Sequence, residues 1–89
     1  MLHNILFEWQ AFDDFVDWQE PLFGRRGIVA PLMTELILRI DQYGNPDTAI
    51  PVTYKTEDAW QMKIWGKHNL IYQIDDKTIR ILSCRHRRN

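Results

Sequence analysis

The chain has 89 residues, 45% of them apolar, 26% charged and four of them tryptophan. This is the size of one domain spanning 1–89 with material for a packed core, and it excludes a disordered chain. The lone cysteine, Cys84, excludes a disulfide framework and a cysteine-built zinc site, and no apolar run approaches the roughly 20 residues of a membrane span.

The net charge of −1 conceals an uneven distribution. Residues 1–59 carry four bases and ten acids, a net of −6, whereas residues 60–89 carry seven bases and two acids, a net of +5. A basic segment can bind phosphate and an acidic one cannot. The opening residues lack a basic stretch, and Glu8 interrupts their apolar run. No signal peptide is therefore expected, and a reducing cytoplasm is the expected location.

In chain order, His3 to Phe7 alternates as a short strand. Gln10 to Gln19 changes to helical spacing, with Phe12, Phe15 and Val16 at i, i+3, i+4, Ala11, Phe15 and Trp18 at i, i+4, i+7, and Asp13, Asp14 and Asp17 outside. Glu20-Pro21 ends that helix, and residues 23–27 read as a turn. Val29, Met33, Leu36, Ile40 and Tyr43 then predict a longer helix, with Pro31 in its first turn and Gly44 past its end. Residues 47–58 read as a loop holding a short extended piece at 50–54. Three strands close the chain, at Trp60 to Trp65, Leu70 to Ile74 and Thr78 to Cys84. The turn between the last two contains Asp75-Asp76, where aspartate favours turn geometry. Two helices covering one face of a small antiparallel sheet is the packing this order predicts.

No phosphate-cradling glycine loop, HExxH or GxSxG motif is present. His3, His68 and His86 lack paired-ligand spacing, so neither metal nor cofactor is expected. Two basic groups remain. Arg85, His86, Arg87 and Arg88 follow the last strand, and Lys67, His68 and Asn69 form the turn before Leu70. Antiparallel pairing brings these together as a phosphate-holding patch, with His68 or His86 for proton transfer. The alternative is a solubilising charged terminus. Lys63 alternates with Met62 and Ile64 and is expected on the helix-free face, with Trp65 beside it as a stacking surface.

The run Phe7-Glu8-Trp9-Gln10-Ala11-Phe12-Asp13-Asp14-Phe15-Val16-Asp17-Trp18-Gln19 resembles the strand-into-helix opening of YoeB-type toxins. Trp60 to Ile64, His68-Asn69-Leu70-Ile71-Tyr72 and Ile79 to Arg85 resemble that family's closing strands. The likeness runs through nearly the whole chain and is weakest between Pro21 and Ala59. It implies the β-α-α-β-β-β fold of the RelE/ParE superfamily and the toxin of a toxin–antitoxin module. It also implies a cognate antitoxin, and cleavage of mRNA on the ribosome by attack of a 2′-OH on the adjacent phosphate.

The departures fall on the catalytic positions. Asn69 stands where the family has arginine. Arg87 and Arg88 stand where it has histidine and tyrosine, and Ile50-Pro51 replaces its glutamate-proline. Lys63 matches a strand lysine of RelE-type relatives. Lys63, Arg85, His86 and Arg87 are thus the implied catalytic group, with Lys67, His68, Asn69 and Arg88 as RNA contacts. Two other readings stay open: a protein of the same fold that binds an antitoxin, the ribosome or another target without cutting RNA, and a homodimeric interaction module using Trp65 and Tyr72.

Overall fold

The computed structural model describes residues 2–18 and 29–84. Its elements are β1 (Asn4–Phe7), α1 (Trp9–Trp18), α2 (Val29–Tyr43), β2 (Ile50–Tyr54), β3 (Glu57–Trp65), β4 (His68–Ile74) and β5 (Thr78–Ser83). The two helices pack on one sheet, as the order of elements predicts. The sheet has five strands, in the order β1-β5-β4-β3-β2. β2 through β5 form an antiparallel meander, and β1 joins β5 in parallel. The expected turn at 23–27 lies outside the described residues.

Alternation decides which face each strand buries. Ile5 pairs with Ile79 and Phe7 with Ile81, facing the helices, while Leu6 and Arg80 pair on the other face. Trp60 and Met62 pair likewise with the buried Tyr72 and Leu70. From α2, Met33, Ile37 and Ile40 close the core. Gly44, at φ +80°, ends that helix and donates its N–H to the Ile40 carbonyl at 2.9 Å, as a left-handed cap should. Tyr43, placed inside by its spacing, is exposed.

The first helix turns inward the apolar set of Ala11 and Phe15, and with it Asp14, expected outside. Ala11 and Asp14 are buried, and Phe15 packs on Phe7 with ring centroids 5.4 Å apart. Trp9, Phe12 and Val16 are exposed. The cause is close approach. The Cys84 thiol donates to the Ala11 carbonyl at 3.3 Å, and only a small residue lets the helix backbone sit so near the end of β5.

Two further contacts lock the ends of the core. The carboxylate of Asp41, near the end of α2, accepts the N–H of Leu2 at 3.0 Å and that of His3 at 2.6 Å, and lies 2.9 Å from His3 Nδ1. Burial raises its pKa, but these hydrogen bonds and the charge of His3 outweigh that, and the net shift is downward. The buried Tyr72 hydroxyl donates to Asn45 Oδ1, and burial pushes its pKa up to about 12.

Candidate functional site

The helix-free face carries the residues that the closing strands turn away from the core. Lys63 pairs with Asn69 across β3 and β4, so the structure brings these two together. Lys63 is exposed and Asn69 half-buried, and the Asn69 Nδ2 group donates to the Lys67 carbonyl at 3.4 Å. β2 reaches only as far as Gln61, its partner for Ile50. Beyond that point β3 is itself the sheet edge. Lys63 therefore also borders a cavity of about 170 Å³ against Leu32, Glu35, Leu36 and Arg39 of α2.

The hairpin joining β3 to β4 turns on Gly66 and Lys67. Gly66 has φ +60°, at the first central position of a two-residue loop, the place where such a turn demands glycine. A register shift between Lys63 and Trp65 sets Trp65 opposite His68. His68 shares its face with the buried Leu70 and Tyr72, so Trp65 lies on the helix side and not beside Lys63, as alternation alone had predicted. The inserted residue of a bulge reverses the alternation beyond it. Tyr72 is fully buried, so Trp65 and Tyr72 form no joint contact surface.

At the other side of this edge, a second register shift makes Leu82 the extra residue of β5, and Ser83 pairs with Ile71. The described chain ends one residue beyond that pair, at Cys84. Arg85, His86, Arg87 and Arg88 lie outside the described residues, and so does their convergence with Lys67. Ile50, where the family's acid is expected, opens β2 and is exposed.

Sequence reasoning missed a second group on the same face: the extended piece expected at 50–54 is β2, but nothing in the sequence joined it to Glu8 and Arg80. Arg80 Nε donates to Glu8 Oε1 at 2.5 Å, joining β5 to the start of α1. Lys55, in the turn between β2 and β3, donates to Gln10 Oε1 at 3.1 Å and stands 5.6 Å from the centre of the Tyr54 ring. β1 and β2 are opposite edges of the sheet, about 19 Å apart if it lay flat. Contact between the β2–β3 turn and the residues following β1 therefore requires the sheet to curl. The result is a cleft of about 360 Å³, its walls including Glu8, Trp9, Tyr54, Lys55, Glu57 and Arg80.

No protein-family model matches the chain, and no curated protein does. Solved structures do match. The chain is similar to YoeB of the YoeB dimer from Staphylococcus aureus, with 27% identity over 99% of this chain and 100% of that one, at a TM-score of 0.78. It is similar to a chain of the heterotetrameric YoeB-YefM toxin-antitoxin complex from the same organism, with 26% identity over 97% and 98% of the two chains, at 0.77. The archaeal RelE-RelB complex from Pyrococcus horikoshii OT3 matches 98% of this chain and 97% of its own at 0.70; at 16% identity that likeness shows the fold alone.

Proposed function

Starting from a chain that is a YoeB-like member of the RelE/ParE superfamily, we propose that it is the toxin of a toxin–antitoxin module and cleaves mRNA on the ribosome. The observation that carries this reading is the end-to-end likeness to the Staphylococcus aureus YoeB, 99% of one chain on 100% of the other. The proposed partners are a cognate antitoxin, as in the YoeB-YefM complex, the ribosome with its mRNA, and a second copy, as in the YoeB dimer. The proposed location is the cytoplasm. Among the described residues no helix is long and apolar enough to cross a membrane.

In the proposed reaction the 2′-oxygen forms a bond to the neighbouring phosphorus and the bond to the 5′-oxygen breaks. One group takes the 2′-OH proton, another returns a proton to the leaving 5′-oxygen, and cations hold the charge that builds on the phosphate. Lys63, Arg85, Arg87 and Arg88 are the proposed phosphate ligands, and Lys67 and Asn69 border the strand. His86 is the proposed proton carrier. His68 serves less directly, since its strand position puts it on the helix side.

Specific positions favour a second reading, binding without cleavage. Ile50 supplies no general base and Asn69 no fixed positive charge. Translating ribosomes with fresh wild-type protein decide between them. Message cut within the ribosome-bound codon supports the nuclease, and intact message on active ribosomes leaves binding alone.

A further inference from the structure

The cleft at the far end of the helix-free face differs from the edge at Lys63 and Asn69 in both charge and build. Lys55 and Arg80 are balanced by Glu8 and Glu57, so the cleft is electrically neutral and phosphate gains little by entering it. Tyr54 and Trp9 supply aromatic walls, and Glu8, Gln10, Lys55 and Arg80 supply fixed hydrogen-bond acceptors and donors. Its volume, about 360 Å³, lies near the lower limit of the ~300–1,000 Å³ usual for small-ligand sites. A planar, polar, uncharged ring fits that description, and a nucleobase is such a ring.

The turn that forms one wall is strained. Lys55 and Thr56 have φ of +47° and +71°, a pair of left-handed residues in a two-residue hairpin where asparagine and glycine are the ordinary choice. A β-branched residue there is an outlier. Such strain persists where the surroundings over-determine it, often at binding sites. Here it coincides with the bond from Lys55 to Gln10, which holds the cleft closed on that side.

We propose that this cleft is a nucleobase-binding subsite, in which Tyr54 stacks on one base of an RNA strand whose phosphates lie toward Lys63. The inference rests on the RNA reading of the function and adds a second point of attachment. Lys63 lies six positions beyond Glu57 along β3, roughly 20 Å at ~3.3 Å per residue. A hexanucleotide is long enough to lie over both ends, and a dinucleotide is not.

The test is the affinity of the full chain for 2′-O-methyl ribo-oligonucleotides, which lack the attacking hydroxyl and stay intact. The wild type is expected to bind a hexanucleotide at least tenfold more tightly than a dinucleotide. Tyr54→Ala should lose about tenfold on the hexanucleotide, in line with base–aromatic stacking, and nothing on the dinucleotide. Tyr54→Phe should keep wild-type affinity. Lys55→Asn with Thr56→Gly retains the hairpin, makes the cleft net negative, and should weaken the hexanucleotide severalfold without lowering the melting temperature. Hexanucleotide affinity unchanged in both Tyr54→Ala and the turn variant overturns the subsite, as does a wild type that binds neither oligonucleotide. Ribosomal cleavage by the wild type is scored separately: cutting with an unaltered Tyr54→Ala hexanucleotide affinity removes the subsite and keeps the nuclease, and the reverse pattern removes the nuclease and keeps the subsite.

Discussion

At the scale of single residues, Asp41 holds the start of the chain to the second helix through three groups of Leu2 and His3. Its carboxyl titrates below the ordinary value of 3.8 once the chain folds. The ionised form is therefore favoured by folding, and the stability it contributes is complete above the unfolded value. That stability is lost as pH falls through the lower, folded one. Asp41→Asn should melt below the wild type at pH 7, and the gap should narrow as the pH at which both are melted is taken progressively below 3.8. A gap of equal size at every pH would mean that shape, and not charge, matters there. Asp75 is bound by the same logic to the backbone N–H groups of Lys77 and Thr78, both at 2.8 Å. Its role was legible in the sequence because the partners are local. That of Asp41 was not, since 38 residues separate it from His3.

At the scale of elements, the β2–β3 turn offers a direct gain in stability. A left-handed residue with a side chain costs about 1–2 kcal/mol, and asparagine followed by glycine carries little of that cost. Lys55→Asn with Thr56→Gly should raise stability by about 1–2 kcal/mol, read as a higher denaturant midpoint with an unchanged slope. The same hairpin shows where sequence patterning stops. The second helix, its Gly44 cap and the three closing strands were legible because their apolar spacing matches the burial observed, except at Tyr43 and Trp65. β2 was legible as an extended piece at 50–54 but not as a member of the sheet; its Pro51 is tolerated because β2 is an edge strand. The parallel pairing of β1 is equally non-local. Of the two apolar sets in α1, the structure buries the one containing Ala11, a small residue at the contact with β5, and leaves Phe12 and Val16 exposed.

At the scale of the whole molecule, the +5 segment lies on the closing strands and the terminus, and the acidic segment includes the exposed outer side of α1. Arg85→Ala with His86→Ala and Arg87→Ala removes three of the residues proposed to act on phosphate and changes none of the buried residues of the described core. If the protein cuts RNA, this variant should relieve growth arrest on expression by at least tenfold in surviving colonies while still binding an antitoxin. Equal toxicity of variant and wild type would assign toxicity to binding. Part of this face was legible in the sequence. Strand alternation placed Lys63 on the helix-free face, whereas Asn69, expected in the turn, lies in β4 and pairs with it. The cleft was not legible, since it is assembled from Glu8, Tyr54 and Arg80, whose meeting depends on how far the sheet curls.

The burial of Cys84 makes the molecule its own reporter. Its sulfur is enclosed at the junction of β5 and α1, and it is the only thiol in the chain. A maleimide dye should find nothing to react with until that junction opens. Its rate of attachment to the native protein should then equal the product of the opening equilibrium and the rate for an unfolded thiol. One reagent, added to unmodified protein, would thus time the separation of helix from sheet. Rapid labelling in native buffer, as fast as in denaturant, would show that the junction is open in solution.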